Sequence, residues 1–249
     1  MKTLVKNGTI VTSTNEFAAD ILIEDEKISM IASHIDVEAD TVIDAAGKYV
    51  LPGGVDNHSH FEALNTDGVT TNAGYDTTWV ALKGGTTTIV DFCTNEPGMD
   101  MMESLEYRLN VRSKGKLAPD MAIHAVCTDF RGEETLDEIP KLVEAGVPTM
   151  KLFLAYKPTP LYMDDYKYLR FLERASQVGM TMMVHAENPD VLDYERNKMA
   201  EAGCLDPKYH YMTRPPYGEA EAVARSIKFA DAMDCPLCVV HVSCIEAAE

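Results

Sequence analysis

The sequence predicts an α/β fold: a (β/α)8 barrel of the TIM type, with its first six βα units visible, preceded by a small N-terminal β-sandwich domain. Three observations predict it. Residues 1–51 are strand-like and punctuated by turns, residues 52–249 alternate short β-branched runs with amphipathic stretches, and ligand-type side chains gather at the ends of those runs.

In the first segment the strand-like runs are Thr3–Thr12, Asp20–Ile31, Thr41–Asp44 and Lys48–Leu51, and the Asn7-Gly8 pair sits between apolar runs as in a hairpin turn. A unit of about 50 residues buries too little surface to stand without packing on the rest of the chain. The pattern changes after Pro52-Gly53-Gly54. Six apolar runs come next: Val55–His60, Thr86–Cys93, Met121–Cys127, Thr149–Ala155, Thr181–Glu187 and Leu237–Ser243. Amphipathic pieces lie between them at Met101–Lys114, Leu136–Glu144, Tyr166–Val178 and Glu219–Met233, each ended by Gly or Pro. Strands alternating with helices imply a parallel sheet covered on both faces. No GxGxxG or GxxxxGK[ST] follows any strand, while polar residues mark the ends of strands one, four, five and six, which favours a barrel over an open doubly wound sheet. A barrel of this kind needs eight units, so the sequence is expected to be the N-terminal part of a longer protein.

Composition narrows the partners. Against 22 Lys and Arg stand 40 Asp and Glu, a net charge of −18, with no basic cluster, so the long-range field repels phosphate backbones and anionic lipid surfaces. Nucleic acid and membrane are excluded as partners on that ground, and a small neutral or cationic ligand fits. No window approaches the roughly 18 apolar residues of a membrane span, and the N-terminus turns polar too soon for a signal peptide, so a soluble, cytoplasmic protein is expected. The six cysteines are then expected to be reduced and to serve mostly as small buried hydrophobes, Cys235-Pro-Leu-Cys238 being a single CxxC with no second pair.

The sharpest chemical feature is Asp56-Asn57-His58-Ser59-His60, because positions i and i+2 of a strand point to one side and can hold one ion together. Two satisfied histidines at a strand end would give the same spacing. His185 and His241 end later strands, so four imidazoles can converge at one barrel mouth. His124 stands mid-strand and suits core or supporting duty, whereas His34 and His210 read as surface or loop residues. Lys151 lies in an otherwise apolar strand, Thr149–Ala155, where an ammonium is costly to bury. A salt bridge or a solvated strand end would make it tolerable. So would deprotonation and reaction with carbon dioxide, which turns the cation into a bidentate oxygen ligand for two divalent ions.

Four segments together resemble the amidohydrolase superfamily and, within it, the hydantoinase/dihydropyrimidinase family of cyclic amidases: Val42–His60, Met150–Tyr156, His185-Ala-Glu-Asn188, and Tyr211–Pro216 through Cys235–Ser243. The resemblance implies that His58 and His60 bind the more buried of two divalent metal ions, zinc by family habit, that His185 and His241 bind the outer one, and that a carbon dioxide-derived carbamate on Lys151 bridges the pair. It further implies a metal-bridging hydroxide as nucleophile, Tyr156 donating its phenol to the developing oxyanion, and a homo-oligomer, tetrameric in the family. The implied reaction is hydrolytic ring opening of hydantoins or dihydropyrimidines. The family's strand-eight aspartate, its remaining ligand and general base, lies beyond these residues, so the 249 residues alone are expected to be inactive.

Where the family has Pro after the first Asp and a Leu-x-Met-Pro-Phe loop after the histidine pair, this chain has Asn57 and Phe61-Glu62-Ala63-Leu64-Asn65. Relatives that open carboxylate-bearing rings, such as dihydroorotase, place Arg directly after the pair. Position 61 is Phe, which argues against such substrates. The alternatives are an allantoinase-type hydrolase of another cyclic ureide and a non-catalytic dihydropyrimidinase-like interaction protein. The presence of all five implied ligands speaks against the second.

Overall fold

A computed structural model describes residues 1–63 and 74–249, and Leu64 and Asn65 of the departing loop lie outside the described residues. The chain divides into two compact units, Met1–Gly54 and Val55–Glu249.

In the first unit β1 (Lys2–Val11), β2 (Glu16–Glu24), β3 (Lys27–Ala32), β4 (Thr41–Asp44) and β5 (Tyr49–Val50) form one mixed sheet in the order β3-β2-β1-β4, with β5 also pairing β1. The run Asp20–Ile31 is thus two strands, turned at Asp25 and Glu26, which both take positive φ. Asn7-Gly8 is not the hairpin turn. Both lie inside β1, where the register against β2 shifts between Val5 and Gly8 and Asn7 takes φ 62°, the left-handed conformation that a bulge can use as readily as a tight turn. The chain reverses instead between β1 and β2, where Thr12 Oγ1 accepts the Asn15 N–H at 3.0 Å. Gly8 is required here by space: a Cβ would come within 2.6 Å of Val50 Cγ2.

In the second unit six strands stand in strictly sequential order: β6 (Gly54–Ser59), β7 (Thr86–Thr94), β8 (Asp120–Val126), β9 (Thr149–Phe153), β10 (Thr181–His185) and β11 (Leu237–Val239). The pairs from β7 to β11 are parallel. Around them run α1 (Trp79–Lys83), α2 (Met101–Tyr107) continued by a π-turn at Arg108–Arg112, α3 (Glu133–Leu136), α4 (Ile139–Glu144), α5 (Asp165–Val178), α6 (Pro189–Glu201), α7 (Pro216–Ala232) and α8 (Ile245–Ala248).

The strands alternate faces with period two, and the two faces have different neighbours. On one side Phe92, Val126, Met183 and Val240 pack together, and this is the inner face. On the other, Cys93, Ala125, Met150, Leu152, Met182 and Val184 join Leu105, Leu142, Phe171, Leu172 and Ala222 of the helices in the main core. The elements depart from the sequence pattern in three places. Leu136–Glu144 is broken into α3 and α4 around Asp137 and Glu138, because the Glu138 carboxylate turns to accept the N–H groups of Met101 (2.7 Å) and Met102 (3.1 Å) at the start of α2. α6 has no counterpart among the amphipathic pieces, although Asn188-Pro189 is a readable start: the Asn188 side chain caps Asp190 and Val191, and Pro189 fills the first turn. β11 stops at Val239, shorter than the predicted Leu237–Ser243. Among the described residues no helix is long and apolar enough to cross a membrane. All six cysteines are free, but only Cys93, Cys127 and Cys235 are buried, Cys238 being exposed.

Candidate metal centre

The inner face of the sheet and the C-terminal strand ends bring the predicted residues together. His58 and His60, two apart near the end of β6, have ring centroids 5.3 Å apart, and both rings lie 4.6 Å from that of Phe92 on β7. His241 stands 5.5 Å from His58 and 4.6 Å from His185, which closes the chain His60, His58, His241, His185. His241 sits past the end of its strand, at φ 41°, so a turn rather than a strand end delivers its ring.

Lys151 lies in β9 opposite Val126 and Met183, the inward layer, and is 1 % exposed. Its ammonium rests between two aromatic faces, 5.0 Å from the Phe92 centroid and 4.9 Å from that of Phe153, and among the described residues it forms no ion pair. Loss of water pushes its pKa down from 10.5 to about 8. Desolvation, followed by the Lys151 charge, lowers His58 to about 4, and desolvation with the charges of His185 and Lys151 brings His241 to about 4. Desolvation also lowers His60. At neutral pH His58 and His241 are therefore neutral imidazoles with a lone pair to give.

His124 is not part of the set. Its Nε2 donates to the Asn57 carbonyl at 3.0 Å and its Nδ1 lies 2.6 Å from the Thr149 hydroxyl, so both nitrogens are engaged, tying β8 to β6 and to β9. His34 is an exposed residue beside Asp20. His210 is exposed too, but it belongs to the site's rim, where its Nε2 accepts the Arg214 Nε–H at 3.1 Å.

Tyr156, half-buried and held at φ 69°, has its ring 5.0 Å from His185, with the Arg214 guanidinium 5.7 Å above it. Burial raises its phenol pKa, an effect that the Arg214 charge opposes. Glu187 receives both His185 Nε2, at 2.5 Å, and Arg214 Nη1. Burial pushes its pKa up, but these two bonds outweigh it and hold the carboxyl below its usual range. With Nε2 engaged by a carboxylate, Nδ1 is the candidate donor of His185, the arrangement usual for metal-binding imidazoles. These groups line a cleft of about 540 Å³. Sequence reasoning missed Glu187 and Arg214 as site residues. The signal was available, since both stand inside the family-like segments, two residues after His185 and two before Pro216.

Among the described residues no three His, Cys, Asp or Glu side chains form a metal site by themselves. Lys151, desolvated and without an ion pair among the described residues, could add a further donor to these histidines if it supplied an anionic oxygen.

No family model matches the chain. Over its whole length it is 41 % identical to D-hydantoinase of Geobacillus stearothermophilus, covering 52 % of that protein. It is 33 % identical to dihydropyrimidinase of Rattus norvegicus over 99 % of this chain and 48 % of that one. The crystal structure of dihydropyrimidinase from Brevibacillus agri superposes with a TM-score of 0.92 at 39 % identity, covering 99 % of this chain and 53 % of that one. The chain belongs to the hydantoinase/dihydropyrimidinase family. It spans about half the length of the family members it matches. An L-hydantoinase of Arthrobacter aurescens, at 29 % identity, superposes with a TM-score of 0.84, so the α/β architecture is common to family members named for both hands of hydantoin.

Proposed function

We propose that the protein is a cyclic amidase that opens the ring of hydantoins or dihydropyrimidines by metal-dependent hydrolysis. One observation carries this: a lysine, 1 % exposed and without an ion pair among the described residues, stands on the inner face of a parallel α/β sheet between the rings of Phe92 and Phe153, which in turn touch His58, His60 and His185. On this reading His58 and His60 would hold one divalent ion, His185 and His241 would hold the other, and Lys151, as its carbamate, would supply an anionic oxygen ligand. Zinc is the proposed metal. Such ions would supply Lewis acidity and a source of hydroxide at neutral pH.

The chain's own groups do the rest. Tyr156 offers its phenolic O–H to the carbonyl oxygen of the ring as negative charge gathers there, and burial, by keeping that phenol protonated, preserves it as a donor. Arg214, stacked over the Tyr156 ring and bonded to Glu187, holds that face of the cleft. Because the Arg214 charge is met by Glu187, and position 61 carries a phenyl ring stacked on Tyr75, neither offers a free guanidinium to a substrate carboxylate. A neutral cyclic amide is therefore favoured over dihydroorotate. An allantoinase-type activity is the second reading, supported by the departure at Asn57 and Phe61 from the family's usual loop.

We also propose that residues 1–51 belong to a β-sandwich domain, that residues 52–249 are strands one to six of a (β/α)8 barrel, and that the protein is a cytoplasmic homo-oligomer, tetrameric as in its family. The test is to assay the full-length protein, rather than these 249 residues alone, against hydantoin, dihydrouracil, allantoin and dihydroorotate before and after chelation. Hydrolysis of the first two, abolished by chelation and restored by zinc, is expected. Turnover of dihydroorotate alone, or rates indifferent to chelation, would refute the reading.

A further inference from the structure

Behind the histidine pair lies a second cluster that the proposed chemistry does not use. Asp91 of β7 is fully buried, and it stands on the helix side of the sheet while its neighbour Phe92 stands on the inner side. Asp91 Oδ1 accepts the N–H of Phe61 at 3.0 Å and of Phe92 at 2.9 Å, and Oδ2 accepts the Tyr75 hydroxyl at 2.5 Å. Arg108, at the start of the π-turn and 1 % exposed, donates through Nη1 to the Phe61 carbonyl at 3.2 Å and to the Tyr75 oxygen at 2.8 Å, and lies 3.4 Å from Asp91 Oδ2. Both backbone groups of one residue, Phe61, are thus gripped, its N–H by the carboxylate and its C=O by the guanidinium.

Stability alone is a poor reason for this arrangement. A buried ion pair gives up its hydration, and apolar side chains of the same volume commonly hold a fold equally well. Apolar side chains cannot, however, bond the N–H and C=O of a single residue. Phe61 directly follows His60, so fixing its peptide planes fixes the direction in which β6 ends. The same strand β7 presses Phe92 against both His58 and His60 from the inner side. The histidine pair is therefore held at its backbone by Asp91 and Arg108 and at its rings by Phe92. A π-turn, which inserts one residue into a helix and recurs at functional sites, is what Arg108 opens.

We infer that Asp91, Tyr75 and Arg108 are positioning residues, a polar clamp that sets the strand end bearing His58 and His60 in the geometry needed to hold a divalent cation. The inference rests on the metal reading of those histidines. Its test is the zinc dissociation constant of the site that His58→Ala empties, measured on the purified protein by competition with a chelating dye, with folding followed by circular dichroism. Tyr75→Phe keeps the ring and both charges and removes only the bridging hydroxyl. It is expected to keep the fold and weaken zinc about tenfold, the scale on which outer-shell partners act. Arg108→Met should weaken it further, and Arg108→Lys should recover part of the loss. Ile139→Val, in the helix-side core, controls for general loosening and should leave zinc affinity unchanged. Parent-like affinity in a folded Tyr75→Phe, or an equal loss in Ile139→Val, would overturn the clamp while sparing the metal reading. A parent protein that takes up no zinc would overturn both.

Discussion

Replacing Lys151 by Met in the metal-free protein should stabilise it at neutral pH, and the size of the effect can be worked from the lysine's surroundings. The ammonium is buried with no carboxylate partner among the described residues, and its pKa falls from 10.5 to about 8 through desolvation. A displacement of that size corresponds to about 3 kcal/mol of penalty on the folded state while the amine is protonated. The two aromatic faces at about 5 Å return roughly 1 kcal/mol, so desolvation wins and about 2 kcal/mol of net cost remains. Proton counting gives the sign. Between pH 8 and 10.5 the unfolded chain holds the proton that the folded chain has released, so stability rises with pH across that window and the penalty is fully present below it. Urea unfolding in chelator at pH 7 and at pH 10 should show the wild-type gap closing with pH and Lys151→Met flat and more stable at pH 7. If Lys151→Met is less stable than wild type at pH 7, the ammonium has an anionic partner and its role as a carbamate precursor loses its physical basis. The same shift matters chemically, because near pH 8 about half of the amine is neutral and able to react with carbon dioxide.

Tyr156→Phe should lower kcat by about 10²–10³-fold with KM and zinc content nearly unchanged, the signature of a donor used only in the transition state, and steady-state kinetics on hydantoin with metal analysis would check it. His241→Ala should lose one zinc equivalent per chain while the ion at His58 and His60 remains, as read by elemental analysis after dialysis. In the first unit Gly8→Ala should cost about 1–3 kcal/mol in thermal or urea unfolding, because its Cβ would come within 2.6 Å of Val50 Cγ2 in a packed sheet. A variant as stable as wild type would show that β5 can yield at Val50.

What was legible in the sequence was whatever depends on local periodicity. The two-residue spacing of His58 and His60, the lysine inside an apolar strand and the strand-helix alternation all survive in the structure as sequential β6 to β11. What was not legible depends on partners far along the chain. Asn7-Gly8 signals a left-handed residue, and only the pairing of β1 with β2 decides that a bulge rather than a turn uses it. The break between α3 and α4 is set by Glu138 reaching α2, thirty-seven residues earlier in the case of Met101. His210 reads as a loop residue until Arg214 draws it to the rim of the cleft.

Asp91 and Lys151 show how far one sequence signal goes and where it needs the fold. Each is a charged residue inside an apolar strand, and each should demand a partner by the cost of burying a charge. Register divides them. Lys151 aligns with Val126 and Met183 on the inner face, beside the rings of Phe92 and Phe153, and among the described residues no carboxylate meets it there, so its pKa falls. Asp91 stands one residue from Phe92 and so faces the helices, where Arg108 and Tyr75 meet it. An unpaired charge on the inner face is a candidate ligand for something the chain does not itself provide, whereas a charge met on the helix side is part of the support. The role of Arg108 appears only when β7 is folded against the π-turn, where its guanidinium meets Tyr75, Asp91 and, at 3.8 Å, Glu96.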